Sequence, residues 1–346
     1  MSPVNQYHNR GSMIGKAPAT IYDVADKAGV SISTVSRFLN DPGKVAAATA
    51  DRIHDAMEVL SYIRQGNAGS RQSRRPGRIG VLAPFFPAPS FVERMQGMTS
   101  VFHAADCEML VYSIDSPEQL NNLVRTGFLT KRLDGIIVMA MLLDEVNARH
   151  LHRAGLQVVL IEQHNPLFCC IECDNIKGGA LAAEYLLSRG YETFGYIGQN
   201  SPLPYSLQPS ELRIKGYSDA LSAAGRPLDS DFIKLGEVSF DGGYSMGLEL
   251  LSRRERPKAV FVMSDLQAFG VIKAARKLSL RMPEDIAIIG FDDIEAADYM
   301  ELSTISQALK ESGRLAAELL LGRIAEPERP LQNVQLRVSV VERSTA

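Results

Sequence analysis

Residues Thr20–Asn40 read TIYDVADKAGVSISTVSRFLN, and this stretch decides how the chain begins. Ile21, Val24, Ala25 and Ala28 recur at i, i+3, i+4 and i+7, the apolar face of a short helix that Thr20 opens as a cap. Gly29 supplies the permissive backbone of a tight turn. Ser31 caps a second helix, in which Val35 and Leu39 lie four apart and point inward. The outer face of that helix offers Ile32, Ser33, Ser36, Arg37 and Asn40. Short polar residues, one apolar residue and one arginine near a helix N-terminus suit a DNA major groove. A guanidinium pairs with guanine through two hydrogen bonds, and Ile32 can pack on a thymine methyl. Ala50, Ile53, Met57 and Leu60 mark a third helix that closes a small core.

Charge is distributed in the same sense. Residues 1–78 hold eleven Lys/Arg against six Asp/Glu, whereas the remainder holds 26 against 34. A basic head on an acidic body is what binding to a phosphate backbone needs. A solvated basic linker accounts for Arg71, Arg74, Arg75 and Arg78 almost as well.

The 346 residues, 45% hydrophobic and 22% charged, suit a globular chain of one small and two medium-sized units. No apolar run approaches the ~20 residues of a membrane helix. Residues 1–19 are polar without a continuous apolar core, so they are expected to form a disordered arm and not a signal peptide. Four cysteines (Cys107, Cys169, Cys170, Cys173) with no export signal point to reduced thiols and a cytoplasmic location. Cys170 and Cys173 have the spacing of a redox or metal pair. They lie in CCIEC, read as a strand, where residues three apart face opposite ways. They are read as small buried hydrophobes, and neither a metal nor a cofactor is expected.

After Arg78 the texture changes to short apolar runs separated by helical stretches. Strands are predicted at 79–83, 109–113, 135–140, 158–162, 169–173, 194–198, 233–235, 259–264 and 286–291. Between them lie helical patterns such as Ala182-Tyr185-Leu186 and Ala268-Val271-Ile272-Ala275. Alternation of this kind predicts an α/β sensor of parallel sheets flanked by helices, and the strands are too many for one sheet, so two lobes are expected. Ligands of such sheets bind beyond the carboxyl ends of the strands. That rule selects residues 84–91 and 199–207, Ser264 with Asp265, and Phe291-Asp292-Asp293. Aspartates beside strand ends hold metals or sugar hydroxyls. Without a neighbouring histidine or further carboxylates at ligand spacing, sugar is the expected partner.

Thr20–Asn40 resembles the signature of the LacI/GalR family of bacterial regulators almost position for position. The likeness extends through Leu60-Ser61-Tyr62 to Arg343-Ser344-Thr345, over nearly the whole chain beyond residue 19. The resemblance implies base reading by Ile32, Ser33 and Arg37, and phosphate contacts from Thr20, Tyr22, Ser31, Thr34, Asn40 and Lys44. It implies a sensor like periplasmic sugar-binding proteins, with the ligand between the lobes. Arg213-Ile-Lys-Gly216 matches an Arg-x-x-Gly whose arginine clamps the ligand. Ser264-Asp265 matches a position usually Asn-Asp, and Asp292 an aspartate that accepts from ligand hydroxyls. The first loop supplies Ser90 and Phe91. Val238 stands where many relatives carry an aromatic platform.

Two departures stand out. Ala46 replaces the serine that usually caps the third helix, a loss of roughly 1 kcal/mol. In the hinge, Arg64, Gln65, Ala68, Gly69 and Arg71 stand where the family has Pro, Asn, Ala, Arg and Leu, and only Ala68 matches. Gly66 and Gly69 each cost a helix roughly 1 kcal/mol, and Arg71 cannot act as the apolar minor-groove wedge. Its charge suits a narrow minor groove instead.

The expected organisation is therefore an arm (1–19), a helix-turn-helix head (20–63), a linker (64–78) and an effector domain (79–346). By the resemblance the chain crosses between lobes near 172–175, 305–308 and 325–333. One lobe then takes 79–172 and 308–325, the other 173–307 and 326–346. With no heptad tail, a homodimer on a near-palindromic operator is expected. The function expected is a ligand-controlled regulator, probing duplex DNA with the head and a sugar with the cleft; a nucleobase effector is the alternative, and a solute-binding protein a more distant one. An enzyme is not expected. Gly243-Tyr-Ser245-Met-Gly247 fits G-x-S-x-G, which demands a sharp strand-to-helix turn. Here Tyr244, Leu248 and Leu251 predict a helix running through it, and the last histidine, His164, precedes it.

Overall fold

The computed structural model describes residues 19–40, 44–60, 62, 77–84, 86–127, 133–200, 207 and 209–346. They fall into two compact units, a head within 1–73 and a sensor from 74 onward, each described by itself. The arm, the hinge positions with Arg71, and the side chain of Asn40 lie outside the described residues.

The head is three helices: α1 (Ile21–Ala28), α2 (Ile32–Asn40) and α3 (Ala47–Val59). Thr20 and Asp23 cap α1 reciprocally: the Asp23 amide donates to the Thr20 hydroxyl, and the Thr20 amide donates to the Asp23 carboxylate. Gly29 ends the helix at φ 62, a left-handed conformation that glycine adopts without strain. Val24, Val35, Leu39 and Ile53 are almost wholly buried in the shared core. Arg52 of α3 donates to the carbonyls of Ala28 (3.1 and 2.5 Å) and Gly29 (2.8 Å), so the third helix fixes the turn between the first two.

The sensor holds two sheets. In chain order its elements begin β1 (Gly77–Ala83), α4 (Pro89–Ala104), β2 (Cys107–Ser113), α5 (Pro117–Asn122), β3 (Gly135–Met139), α6 (Glu145–Arg153), β4 (Gln157–Ile161) and β5 (Cys169–Cys173). There follow α7 (Asn175–Ser188), β6 (Phe194–Gln199), α8 (Pro209–Ala223), β7 (Ile233–Gly236), α9 (Phe240–Leu251), β8 (Ala259–Val262) and α10 (Asp265–Lys277). The chain ends with β9 (Ala287–Asp292), α11 (Glu295–Tyr299), β10 (Ser303–Ser306), α12 (Leu309–Ala325), β11 (Asn333–Leu336) and β12 (Ser339–Val341).

The first sheet runs β11-β5-β4-β3-β1-β2, all parallel, and the second β12-β10-β9-β8-β6-β7, parallel except for β12. Helices cover both faces of each sheet, so GIIVM in β3 and AVFV in β8 are apolar throughout and buried throughout. Cys170 faces one core of the first sheet while Cys169 and Ile171 face the other. The G-x-S-x-G stretch lies inside α9, with no strand-to-helix turn.

The third crossing differs from expectation. Residues 333–336 belong to the first sheet, so the chain changes lobe after Leu336 and not between 325 and 333. Val334 and Leu336 are half-buried while Asn333 and Gln335 are exposed, the pattern of a short edge strand.

Within the lobes, helices meet backbone to backbone. An added methyl at Gly97 of α4 would overlap the carbonyl of Lys310, and one at Gly313 of α12 the carbonyl of Arg94. Gly179 of α7 and Gly216 of α8 meet the carbonyls of Arg213 and Ile176 in the same way. The glycine of Arg213-x-x-Gly216 thus seats the helix that carries the arginine.

Candidate functional site

On the head, α2 turns Val35, Phe38 and Leu39 into the core, which leaves Ile32 (42% exposed), Ser33 and Arg37 outward. Ser31 accepts from the Thr34 amide at 3.2 Å, and its hydroxyl lies 2.7 Å from that of Ser33 and 2.8 Å from that of Thr34. The N-terminus of α2 therefore presents a linked set of hydroxyls beside its free amides, where the helix dipole favours an anion. Thr20, Tyr22 and Lys44 are exposed, and Ser36 is half-buried.

In the sensor, a cavity of about 430 Å³ opens where the carboxyl ends of both sheets meet. Ser90, Phe91, Arg213, Ser264 and Asp292 of the sequence reading all line it. Arg213 is 3% exposed. Its guanidinium lies 3.5 Å from the centre of the Phe291 ring, donates to Asn175 (2.8 Å) and to the Met263 carbonyl (2.5 Å), and stands 3.8 Å from Asp292. Asp292 closes β9 at φ 124, a backbone conformation that is strained in an aspartate. Arg343 braces that corner by bonding Asp293 at 2.8 Å and the Leu302 carbonyl at 2.8 Å.

Burial pushes the Asp292 carboxyl up to about 6; the Arg213 and Arg94 cations oppose this, and Glu162 adds to it. The group is therefore protonated more readily inside the cleft than a free carboxylate.

Asp265 departs from the expectation. It is fully buried and lines no part of the cavity. One oxygen accepts from Thr304 (2.6 Å) and the other from the Ile294 amide (3.0 Å), so it ties α10 to β10 and to the loop after β9. Burial first, and Asp292 second, push its carboxyl far above the usual range. Ser264 does line the cleft, with its hydroxyl accepting from the Gln267 amide at 3.3 Å as the cap of α10.

Residues 20–65 match the family model for bacterial regulatory proteins of the lacI family, and residues 183–346 match a periplasmic binding protein-like domain. The ribose operon repressor of Escherichia coli (strain K12) is 31% identical over 333 residues, covering 95% of this chain and 100% of that protein. The chain belongs to the LacI family. The transcriptional repressor PurR of Edwardsiella ictaluri is likewise 31% identical over 94% of this chain and 96% of its own. Two solved relatives are a LacI-family regulator from Enterococcus faecium with bound ribose and a CelR–cellobiose complex. The first has 28% identity and a TM-score of 0.68 over 78% of this chain and 98% of that one; the second has 25% and 0.68 over 95% and 100%. This LacI-family regulator thus joins a helix-turn-helix head to a two-lobed sensor.

Arg94, Glu162 and Gln307, which the sequence does not single out, also line the regulator's cleft. Arg94 of α4 is 3% exposed, forms an ion pair with Glu162 just beyond β4, and donates to Gln307 at 3.1 Å. Gln307, on the second crossing between lobes, donates in turn to Asp292 at 2.5 Å. A buried chain of groups therefore runs from Glu162 through Arg94, Gln307 and Asp292 to Arg213. Glu162 was readable as a residue beyond a strand end; Arg94 sits inside a helix and carried no such signal. Among the described residues no three His, Cys, Asp or Glu are placed to hold a metal, and no helix is long and apolar enough to cross a membrane.

Proposed function

We propose that this LacI-family regulator is a cytoplasmic repressor, acting as a homodimer without catalysing a reaction, whose cleft binds an uncharged sugar that controls operator binding. Ile32, Ser33 and Arg37 read base edges, with Ser36 beside them; Thr20, Tyr22, Ser31, Thr34, Asn40 and Lys44 hold phosphates. Arg71 reaches the minor groove. Ser90, Phe91, Ser264, Arg213 and Asp292 contact the effector.

One observation carries the sugar reading: two guanidiniums, Arg94 and Arg213, line the cavity together with three carboxylates, Glu162, Asp292 and, at the rim, Glu237. Fixed donors and acceptors side by side suit hydroxyls, which both donate and accept. Among the described lining residues carboxylates outnumber guanidiniums, which does not favour a phosphate or carboxylate ligand. Phe91 is the one aromatic side chain among the described lining residues. Coupling of about 1–3 kcal/mol between cleft and operator would make a useful switch.

The test is the unfolding temperature of the purified protein with millimolar D-ribose, D-xylose, L-arabinose, D-glucose, D-galactose, D-fructose or cellobiose, against adenine, guanine and hypoxanthine. A neutral sugar is expected to raise it. A rise with a nucleobase alone would overturn the reading.

Acidification separates two effects. Below about pH 6 Asp292 gains a proton and no longer accepts as a carboxylate. Sugar affinity should fall about tenfold between pH 7.5 and 5, as a single site at that value requires. The same raised value stabilises the sugar-free protein in acid: the contribution is fully present below the ordinary carboxylate range and is lost as pH rises through 6. Calorimetric titration across this range checks the affinity.

A further inference from the structure

The two lobes repeat one device, and the sequence carries it twice. Arg94-Met-Gln-Gly97 on α4 echoes Arg213-Ile-Lys-Gly216 on α8. In each, the glycine lets its helix touch the backbone of a neighbour, Lys310 in one lobe and Ile176 in the other. In each, the arginine's own carbonyl meets a glycine of that neighbour, Gly313 or Gly179. Each arginine is 3% exposed, and its Nε is held by a polar side chain, Ser312 at 3.3 Å or Asn175 at 2.8 Å. Each faces a carboxylate at or just beyond a strand's carboxyl end, with positive φ: 70° for Glu162 and 124° for Asp292. Both pairs line the same cavity. Gln307 joins them, accepting from Arg94 and donating to Asp292.

We infer that Arg94 and Glu162 form a second effector-reading pair, the first-lobe counterpart of Arg213 and Asp292, so that a neutral polyhydroxyl ligand is gripped by one guanidinium and one carboxylate from each lobe. This rests on the sugar reading above. A purely structural ion pair does not account for the arrangement. Buried pairs seldom stabilise more than apolar side chains of equal volume. A glutamate held at left-handed φ is strained in a way that clusters at ligand sites. The pair also determines which sugar fits, because Glu162 accepts from whichever hydroxyl the first lobe faces.

The probe is the sugar of the panel above that most raises the parent's unfolding temperature. Its affinity is measured by calorimetry for the parent, Glu162→Gln and the double variant Arg94→Met/Glu162→Leu. Removing both charges together leaves no orphaned charge, only the Gln307 carbonyl oxygen and Ser312 hydroxyl without the Arg94 donor, so the double variant should still fold without sugar. Its affinity should fall tenfold or more, and Glu162→Gln should change the ranking of epimeric sugars. A double variant that folds and binds within tenfold of the parent would overturn the inference, as would an unchanged ranking in Glu162→Gln should the double variant fail to fold. If no sugar stabilises the parent, the sugar reading itself fails and the pair's role with it. If Arg213→Met abolishes binding while both first-lobe variants bind like the parent, the sugar reading stands and this inference alone falls.

Discussion

Arg213→Met is expected to cost the sensor about 3–5 kcal/mol of stability and to abolish its response to effector. The arginine is buried and faces the buried Asp292 at 3.8 Å. Its removal leaves a largely buried carboxylate without the cation that most favours its ionised form, the circumstance in which deletion of one partner is most damaging. The carbonyl of Met263 and the side chain of Asn175 lose a donor at the same time. Urea unfolding of the full chain measures the first effect, and a sugar-dependent shift in unfolding temperature the second. Adding Asp292→Asn should recover part of the stability and none of the binding, a coupling that the double-mutant cycle isolates. A single variant that unfolds within 1 kcal/mol of the parent and still responds to sugar would contradict the role given to Arg213.

Arg37→Ala should weaken operator binding by about 1–3 kcal/mol, some 5- to 150-fold, and leave binding to random duplex unchanged. The side chain is exposed on α2, so its loss removes no core contact and the head should unfold as before. A contact to a base edge distinguishes sequences, whereas a contact to phosphate weakens all of them alike and lowers the salt dependence. Equal losses on operator and random duplex, with a shallower salt slope, would move Arg37 from base reading to phosphate contact.

The head was legible because its signals are local. Apolar residues three and four apart, Thr20 with Asp23, and Gly29 each act within one or two turns. Arg52 was not legible, because its partners are backbone carbonyls on the far side of the turn. In the sensor, strands such as β3 and β8 announce themselves by unbroken apolar runs. β10 reads STIS and yet is nearly all buried; its Ser303 and Thr304 find partners at Thr345, Arg343 and Asp265, far away in sequence. β11 and β12 are short, half-exposed edges and left too little pattern.

The cleft divides in the same way. The strand-end rule finds Asp292 and the Ser90–Phe91 loop because position along a strand is local information. It overreaches at Asp265, one residue past Ser264, whose side chain turns inward to Thr304 and the Ile294 amide. Glu162 ends an apolar run in the sequence and is the first residue beyond its strand in the structure. Arg94 and Gln307 enter the site only because helix packing and the second crossing between lobes bring them there.

The measurement that bears most directly on the account is the affinity of the full chain for its best genomic fragment, read by fluorescence anisotropy at moderate salt, with and without the sugar that stabilises it. The account predicts a preference over random duplex and a change of at least fivefold on adding sugar, lost in Arg213→Met. An affinity indifferent to sequence, or one that no stabilising sugar alters, would contradict it.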